Sequence, residues 1–237
     1  MRIETLSKSR NKTARIETPS KGEEQDGTDR DAIEVEEEST VCAVSETKDG
    51  GEGFMVRIRT ETNEDIDAVR QIHLAAFGGR EDESRLADRI RESAGFVPEL
   101  SLVAEADVRV VGHMLISKAE LVDGQDATDT LVLAPIGVLP DAQGRGVGGA
   151  LIREGIHRAE EMGYKLIFLI GHPSYYPRFG FKPAVDSGLV LMQFDVPDDV
   201  FMVRELAEGE LARLAATRKE KYGGVEVSPD VFRLACA

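Results

Sequence analysis

Downstream of Met55 the apolar positions recur with two clear periods, whereas upstream of it they follow almost no pattern. Val56 and Ile58 alternate with Arg57 and Arg59, as in a strand with one face buried. Thr62 stands three residues before Asp65, the spacing at which two side chains cap a helix start. Ile66, Val69, His73, Ala76 and Phe77 then share one helical face until Gly78-Gly79. The spacing predicts a second helix over Glu83–Ser93, then strands around Leu100–Ala106 and Arg109–Leu121 joined by a hairpin turn at Asp107. Leu131–Val138 reads as another strand. Pro135 inside it has no N–H to give to a ladder, so a bulge or splay is expected there. Gly146–Met162 carries the helical stripe Leu151, Ile152, Ile156, Ala159, Met162, and Leu166–Ile170 is an unbroken apolar run, as in a strand covered on both faces. Strand, helix and buried strand make a crossover unit, so the sheet should be partly parallel. Two further strands are expected at Leu189–Phe194 and Phe201–Leu206, with a segment of mixed character after them.

Residues 1–53 change the picture. They hold few large apolar side chains, too few to offset the entropy of ordering, and their charge is split. Met1–Lys21 carries six Lys/Arg against two Glu, whereas Gly22–Phe54 carries two against twelve Asp/Glu. The expectation is a disordered, charged N-terminal extension over 1–53 and one folded domain over 54–237, long enough to bury a core.

Composition mainly excludes. A formal net charge of −15 over 237 residues argues against a nucleic-acid binder, which needs clustered Lys and Arg. Cys42 and Cys236 sit near opposite ends, and the four histidines, His73, His113, His157 and His172, lack the spacing of a metal site, so neither a disulfide framework nor a metal is expected. No apolar run approaches a membrane span and no signal peptide is evident. A cytoplasmic protein without a membrane partner is the expectation, and nothing in the pattern speaks to oligomeric state.

The candidate chemistry is concentrated in QGRGVGGALI, Gln143 to Ile152, where four glycines precede an apolar helix. Glycines let another group approach the backbone closely, and the first helical turn offers unpaired N–H groups, together a site for a phosphate. Gly144, Gly146 and Gly149 formally satisfy the dinucleotide-binding G-x-G-x-x-G, and a tight structural turn is the plain alternative. Against a dinucleotide, five residues separate the strand from the glycines, and no Asp or Glu lies near the end of Leu166–Ile170 to hold a ribose.

A second pattern has more independent parts. Val138-x-Pro140 followed by Gln143-Gly-Arg-Gly146-Val-Gly148 resembles the acetyl-CoA signature Q/R-x-x-G-x-G/A of the GNAT N-acetyltransferase superfamily, and Tyr176-Pro-Arg-Phe-Gly180-Phe181 is similar to its Tyr-x-x-x-Gly-Phe segment. Gly171–Phe181 and Phe201–Leu206 resemble an uncharacterised bacterial subgroup. The resemblance covers about residues 55–206. It implies an α/β fold with a mixed, partly parallel sheet splayed at its middle strands and helices on both faces, and it implies acetyl-CoA as acyl donor. The pyrophosphate would lie on the amides of Gln143, Gly144, Arg145, Gly146, Val147, Gly148, Gly149 and Ala150. The pantetheine arm would run along Ile136, Gly137 and Val138, with the Val138 N–H polarising the thioester carbonyl.

Transfer of an acetyl group to an amine needs a polarised carbonyl and a proton for the departing thiolate. Tyr176, four residues before Gly180, matches the family's general acid, although a tyrosine among Tyr175, Pro177 and Phe179 can also simply pack. For a general base, His172 follows the buried strand and His113 lies within another; a loop hydrogen bond or a water chain are the alternatives. With neither cysteine near these motifs, direct attack in a ternary complex on a primary amine of unknown identity is expected. A non-catalytic acyl-CoA-sensing module would show the same groove.

Overall fold

The computed structural model describes residues 40–45, 54–123, 126–191, 196–221 and 232–236. The strands are β1 (Thr40–Ser45), β2 (Phe54–Thr60), β3 (Ser101–Ala106), β4 (Arg109–Asp123), β5 (Asp126–Val138), β6 (Leu166–Ile170), β7 (Lys182–Pro183), β8 (Phe201–Glu205) and β9 (Phe232–Cys236). The helices are α1 (Ile66–Ala76), α2 (Asp82–Arg91), α3 (Val147–Glu161) and α4 (Glu210–Lys221). One mixed sheet runs β1-β2-β3-β4-β5-β6-β8-β7, and β9 pairs with the Ala119–Asp123 end of β4. Among the described residues β5–β6 is the parallel pair, and the other pairings are antiparallel.

Neighbouring residues of β4 define the two faces. A Cβ on Gly112 would meet Val147 and Leu151 of α3. His113, the next residue, bonds His73 of α1. Helices therefore cover both faces, as expected for the α/β class. The α3 face holds the main core, where Ile58, Leu102, Met114, Ile116, Leu131, Leu151, Ile152, Ile167 and Phe181 are almost fully buried. Gly155 lets α3 lie close to β4, because a Cβ there would stand 2.4 Å from Met114 Cε and 2.8 Å from Ile116 Cδ1. A second cluster, around Phe168, Phe201 and Leu214, lies at the far end of the sheet.

Two local expectations are met in detail. Thr62 N and Oγ1 both donate to Asp65 Oδ2, at 2.8 and 2.9 Å, and Arg59 grips the same carboxylate at 2.6 and 2.8 Å, so a short 3-10 turn over Asn63–Asp65 leads into α1. Pro135 sits in a register shift: Met114 faces Ile136 while Ile116 faces Leu133, and the Ala134–Pro135 peptide is cis.

Three expectations need correction. Thr40–Ser45, inside the segment assigned to the extension, is a strand paired with β2, so the boundary between Gly53 and Phe54 does not hold for those six residues. Averaging over 53 mostly polar residues hid the β-prone run Val41-Cys42-Ala43-Val44. The rest of 1–53 lies outside the described residues. Leu189–Leu191 are not in a strand, and 192–195 are also outside. Leu189 is apolar because it packs in the second cluster, with its N–H closing a turn on Ala184 O at 3.1 Å. Finally, α4 and the strands β7 and β9 lay unrecognised in weakly periodic sequence.

Candidate active site

The parallel partnership of β5 and β6 is short: Leu131 pairs with Ile167 and Val132 with Phe168, and no further pair follows. Beyond the bulge, β5 keeps only β4, with Ile136, Gly137 and Val138 opposite Met114, His113 and Gly112. Leu139 N–H goes to Val111 O at 2.9 Å. Amides alternate along a strand, so the Val138 N–H points the other way, toward the side that β6 has left. This is the expected splay, with its edge amides turned into it.

The end of β5 runs straight into the glycine loop. Pro140–Ala142 form a 3-10 turn, and Gln143 Nε2 returns to Val138 O at 2.9 Å, fastening loop to strand. Gly144 and Gly146 have φ of 73° and 86°, a left-handed backbone that disfavours other residues, and Gly146 is the N-cap of α3. Val147 and Ala150 turn their side chains into the core, leaving the first-turn amides as the groups presented outward. A cleft of about 450 Å³ opens over this turn, with Val138, Gln143, Gly148, Arg153, Tyr175 and Arg178 in its wall. Gly148 leaves room here: a Cβ would stand 3.2 Å from the Tyr175 hydroxyl oxygen, a tight contact from which the tyrosine would have to give. An adjoining cleft of about 540 Å³ shares Arg153 and Arg178 and adds Lys182, Glu205 and Arg204, the last paired with Glu160 at 3.0 Å, so a strongly acidic chain presents a net positive corner near a helix N-terminus.

The structure brings most of the sequence-selected residues together, and the side chains of Arg145 and Tyr176 lie outside the cleft wall. Arg145 does not line the cleft; its guanidinium lies over the Phe54 ring, 4.9 Å from the centroid. The cations in the wall are Arg153, one helical turn beyond Gly149, and Arg178, stacked 4.6 Å from the Tyr175 ring centroid. Both are side chains that i,i+4 spacing and the Tyr motif could have flagged. Tyr176 is buried, edge-on to Tyr175 and Phe181, and does not line that cleft, whereas Tyr175 does. Its ring covers Gly171, where a Cβ would stand only 2.1 Å from Tyr176 Cε2, so it is seated at the end of β6, the strand that diverges from β5. Burial, with a smaller contribution from Tyr175, pushes the Tyr176 hydroxyl up to about 12, so it stays protonated at neutral pH.

His172 is exposed and makes the local contact expected of a loop residue, with Ser174 Oγ 3.0 Å from its Nδ1. His113 is fully buried and bonded to His73. Among the described residues no group of three or more His, Cys, Asp and Glu could hold a metal, and no helix is long and apolar enough to cross a membrane.

Comparison with known proteins agrees with this geometry. Residues 57–184 match the family model described as "Acetyltransferase (GNAT) domain", just over half of the chain. The chain belongs to the GNAT acetyltransferase family. Membership makes it an acyltransferase. The uncharacterized N-acetyltransferase YjhQ of Escherichia coli K12 is 34% identical over 135 residues, 57% of this chain and 74% of that protein. The crystal structure of the GNAT family N-acetyltransferase YhbS from Escherichia coli, in complex with CoA, superposes with a TM-score of 0.60 at 25% identity, covering 68% of this chain and 87% of that one. A GNAT family acetyltransferase from Brucella melitensis, in complex with acetyl-CoA, gives a TM-score of 0.52 at 31% identity over 64% and 88%.

Proposed function

We propose that this GNAT domain moves the acetyl group of acetyl-CoA to a primary amine by direct attack in a ternary complex. The observation that carries this reading is the glycine cradle at the N-terminus of α3, continuous with the free edge of β5. The residues present fit the donor. Gly144 and Gly146 hold the loop in a left-handed backbone, Gly148 keeps the cleft clear of a Cβ, and the amides between Gly144 and Gly149 form the turn on which a pyrophosphate would rest; the Gln143 and Ala150 N–H groups, expected to join them, are taken by Pro140 O and Gly146 O. Arg153 and Arg178 add charge at its edge, and Arg145 contributes through its backbone. Acetyl-CoA supplies, when bound, an acetyl group activated as a thioester.

The chain's own residues do the rest. Ile136–Val138 offer an unpaired strand edge to an extended arm, and the Val138 N–H is directed to polarise a carbonyl oxygen. Tyr176, protonated and seated at the end of β6, is the donor for the departing thiolate. Cys42 and Cys236 lie in β1 and β9, far from the loop in sequence, and β9 meets β4 at Ala119–Asp123 rather than at Gly112–Met114 beside the splay, which supports direct transfer over a covalent intermediate. Calorimetry with acetyl-CoA and with NAD tests the donor, and thiol release with a panel of peptides, amino acids and polyamines tests the reaction. Binding of acetyl-CoA without thiol release across the panel would favour an acyl-CoA-sensing role. NAD binding in place of acetyl-CoA would overturn the reading altogether.

A further inference from the structure

A chain of buried polar groups leads from the surface of α2 to the strand edge just described. Arg91 Nη2 lies 2.5 Å from Glu61 Oε1, the Ser101 hydroxyl donates to Glu61 Oε2 at 2.5 Å, and His113 Nε2 is 3.2 Å from Ser101 Oγ and 3.6 Å from Glu61 Oε2. His113 Nδ1 is then 2.8 Å from His73 Nε2. Both rings are fully buried.

The directions of these bonds follow from the inventory of donors. Ser101 has one proton and gives it to Glu61, so toward His113 it can only accept, and the carboxylate accepts throughout. His113 must therefore carry its proton on Nε2, leaving a lone pair on Nδ1. The proton between the rings then belongs to His73 Nε2, and neutral His73 is left with a bare lone pair on Nδ1. Burial lowers both histidines, His73 to about 3, so both are neutral at physiological pH.

That lone pair is buried and has no hydrogen-bond partner, one of two such side-chain atoms among the described residues. It faces Gly137 of β5, where a Cβ would stand 2.9 Å from His73 Nδ1 and 3.2 Å from Cε1. Gly137 is also the register partner of His113. The histidine pair thus grips both strands at the residue between Ile136 and Val138. The ring packs directly against the bare Cα of Gly137, where no side chain larger than a hydrogen fits unless something shifts. A buried acceptor left without a donor is destabilising, so its retention calls for an explanation in function.

We propose that His73 is a positioning residue for acyl transfer. Locked as the Nε2–H tautomer by His113, Ser101 and Glu61, its ring seats Gly137 and fixes the direction of the Ile136–Val138 edge toward the donor's arm. The proposal rests on the reading of that edge given above.

Three variants, His73→Ala, Gly137→Ala and the double, are compared by calorimetry with two ligands. Acetyl-CoA engages the arm edge, while adenosine 3′,5′-bisphosphate carries the nucleotide end and no arm. Each single variant should weaken acetyl-CoA by about tenfold and the bisphosphate by less than about twofold. The double should recover at least about threefold over either single, because the new methyl occupies space the ring vacated. Nitrogen-15 NMR of histidine-labelled wild-type protein needs no variant and should find His73 protonated on Nε2 alone. Parallel loss of both ligands with a lowered Tm would reduce the pair to a structural role and overturn the proposal. Unchanged acetyl-CoA affinity, additive losses in the double, or an Nδ1–H tautomer would each do the same. Failure of wild-type protein to bind acetyl-CoA would instead strike at the donor assignment itself, and this inference would fall with it.

Discussion

Two adjacent tyrosines divide the labour at the residue scale. Tyr175 lines the cleft beside Gly148, whereas Tyr176 is buried against Gly171 with its hydroxyl raised to about 12. Tyr176→Phe keeps the ring and removes one proton, so acetyl-CoA affinity should hold while kcat falls by about 10²-fold, read by single-turnover acetylation of an accepted amine. Tyr175→Phe should do the reverse, weakening acetyl-CoA with little change in kcat. Equal chemical rates for the two would remove Tyr176 from the reaction. Gly146 offers a check on the loop alone: its φ of 86° makes Gly146→Ala a strained substitution, costing about 1–2 kcal/mol of stability in a denaturant titration. An unchanged midpoint would show that the loop relaxes.

The elements matter through their ends. The bulge at Pro135 and the early parting of β5 from β6 make the free edge, and the sharp turn into α3 places a helix N-terminus at the end of the same strand. At the opposite end of the sheet, β1 covers the outer edge of β2. Deleting residues 1–53 removes that strand, whereas deleting 1–39 spares it. The larger deletion should lower Tm and promote association through the uncovered β2 edge, and the smaller should do neither. Thermal melts and light scattering on both truncations decide it; identical behaviour would mean that β1 contributes nothing to the fold.

Charge and burial act on the molecule as a whole. Arg153 and Arg178 present positive charge at the cleft of a chain with net charge −15, so acetyl-CoA affinity should fall steadily as NaCl is raised from roughly 0.05 to 0.5 M. Stability should depend on pH with one sign. Burial lowers His73 to about 3 and also lowers His113, with Glu61, Arg91 and Asp65 as the other charged groups acting on the pair. Glu61 and Asp65 are each lowered to about 2, because the nearby His113 ring with hydrogen bonds from Arg91 and Ser101, and hydrogen bonds from Arg59 and Thr62, respectively outweigh the opposing effect of burial. All four bind fewer protons folded than unfolded, so their contribution is complete above the ordinary values and is lost as pH falls. Tm should be flat above pH 7 and drop below the ordinary histidine value of 6.5. It should drop again below the ordinary carboxylate values of 4.5 and 3.8, as the folded values near 3 and 2 are approached. A Tm that rises on acidification to pH 5 would contradict the burial of the histidine pair.

Much of this was local and therefore written in the sequence. Period-two and period-3.6 patterns located most strands and three of the helices, Pro135 marked the bulge, and the glycines of Gln143–Gly149 marked the cradle, because each follows from backbone preferences of a few adjacent residues. Relations between distant segments were decided only by the tertiary structure. His73 and His113 are 40 positions apart, His73 reading alone as part of a helix's apolar face and His113 as a candidate base within a strand; only the packing of α1 on β4 and β5 joins them and aims the pair at Gly137. The assignment of Tyr175 rather than Tyr176 to the cleft wall is of the same kind, since which neighbouring ring turns outward depends on Gly171 and Phe181 closing over the other. A pattern of residue types fixes what a segment can form, and the shape of the surrounding core fixes which of its side chains meet.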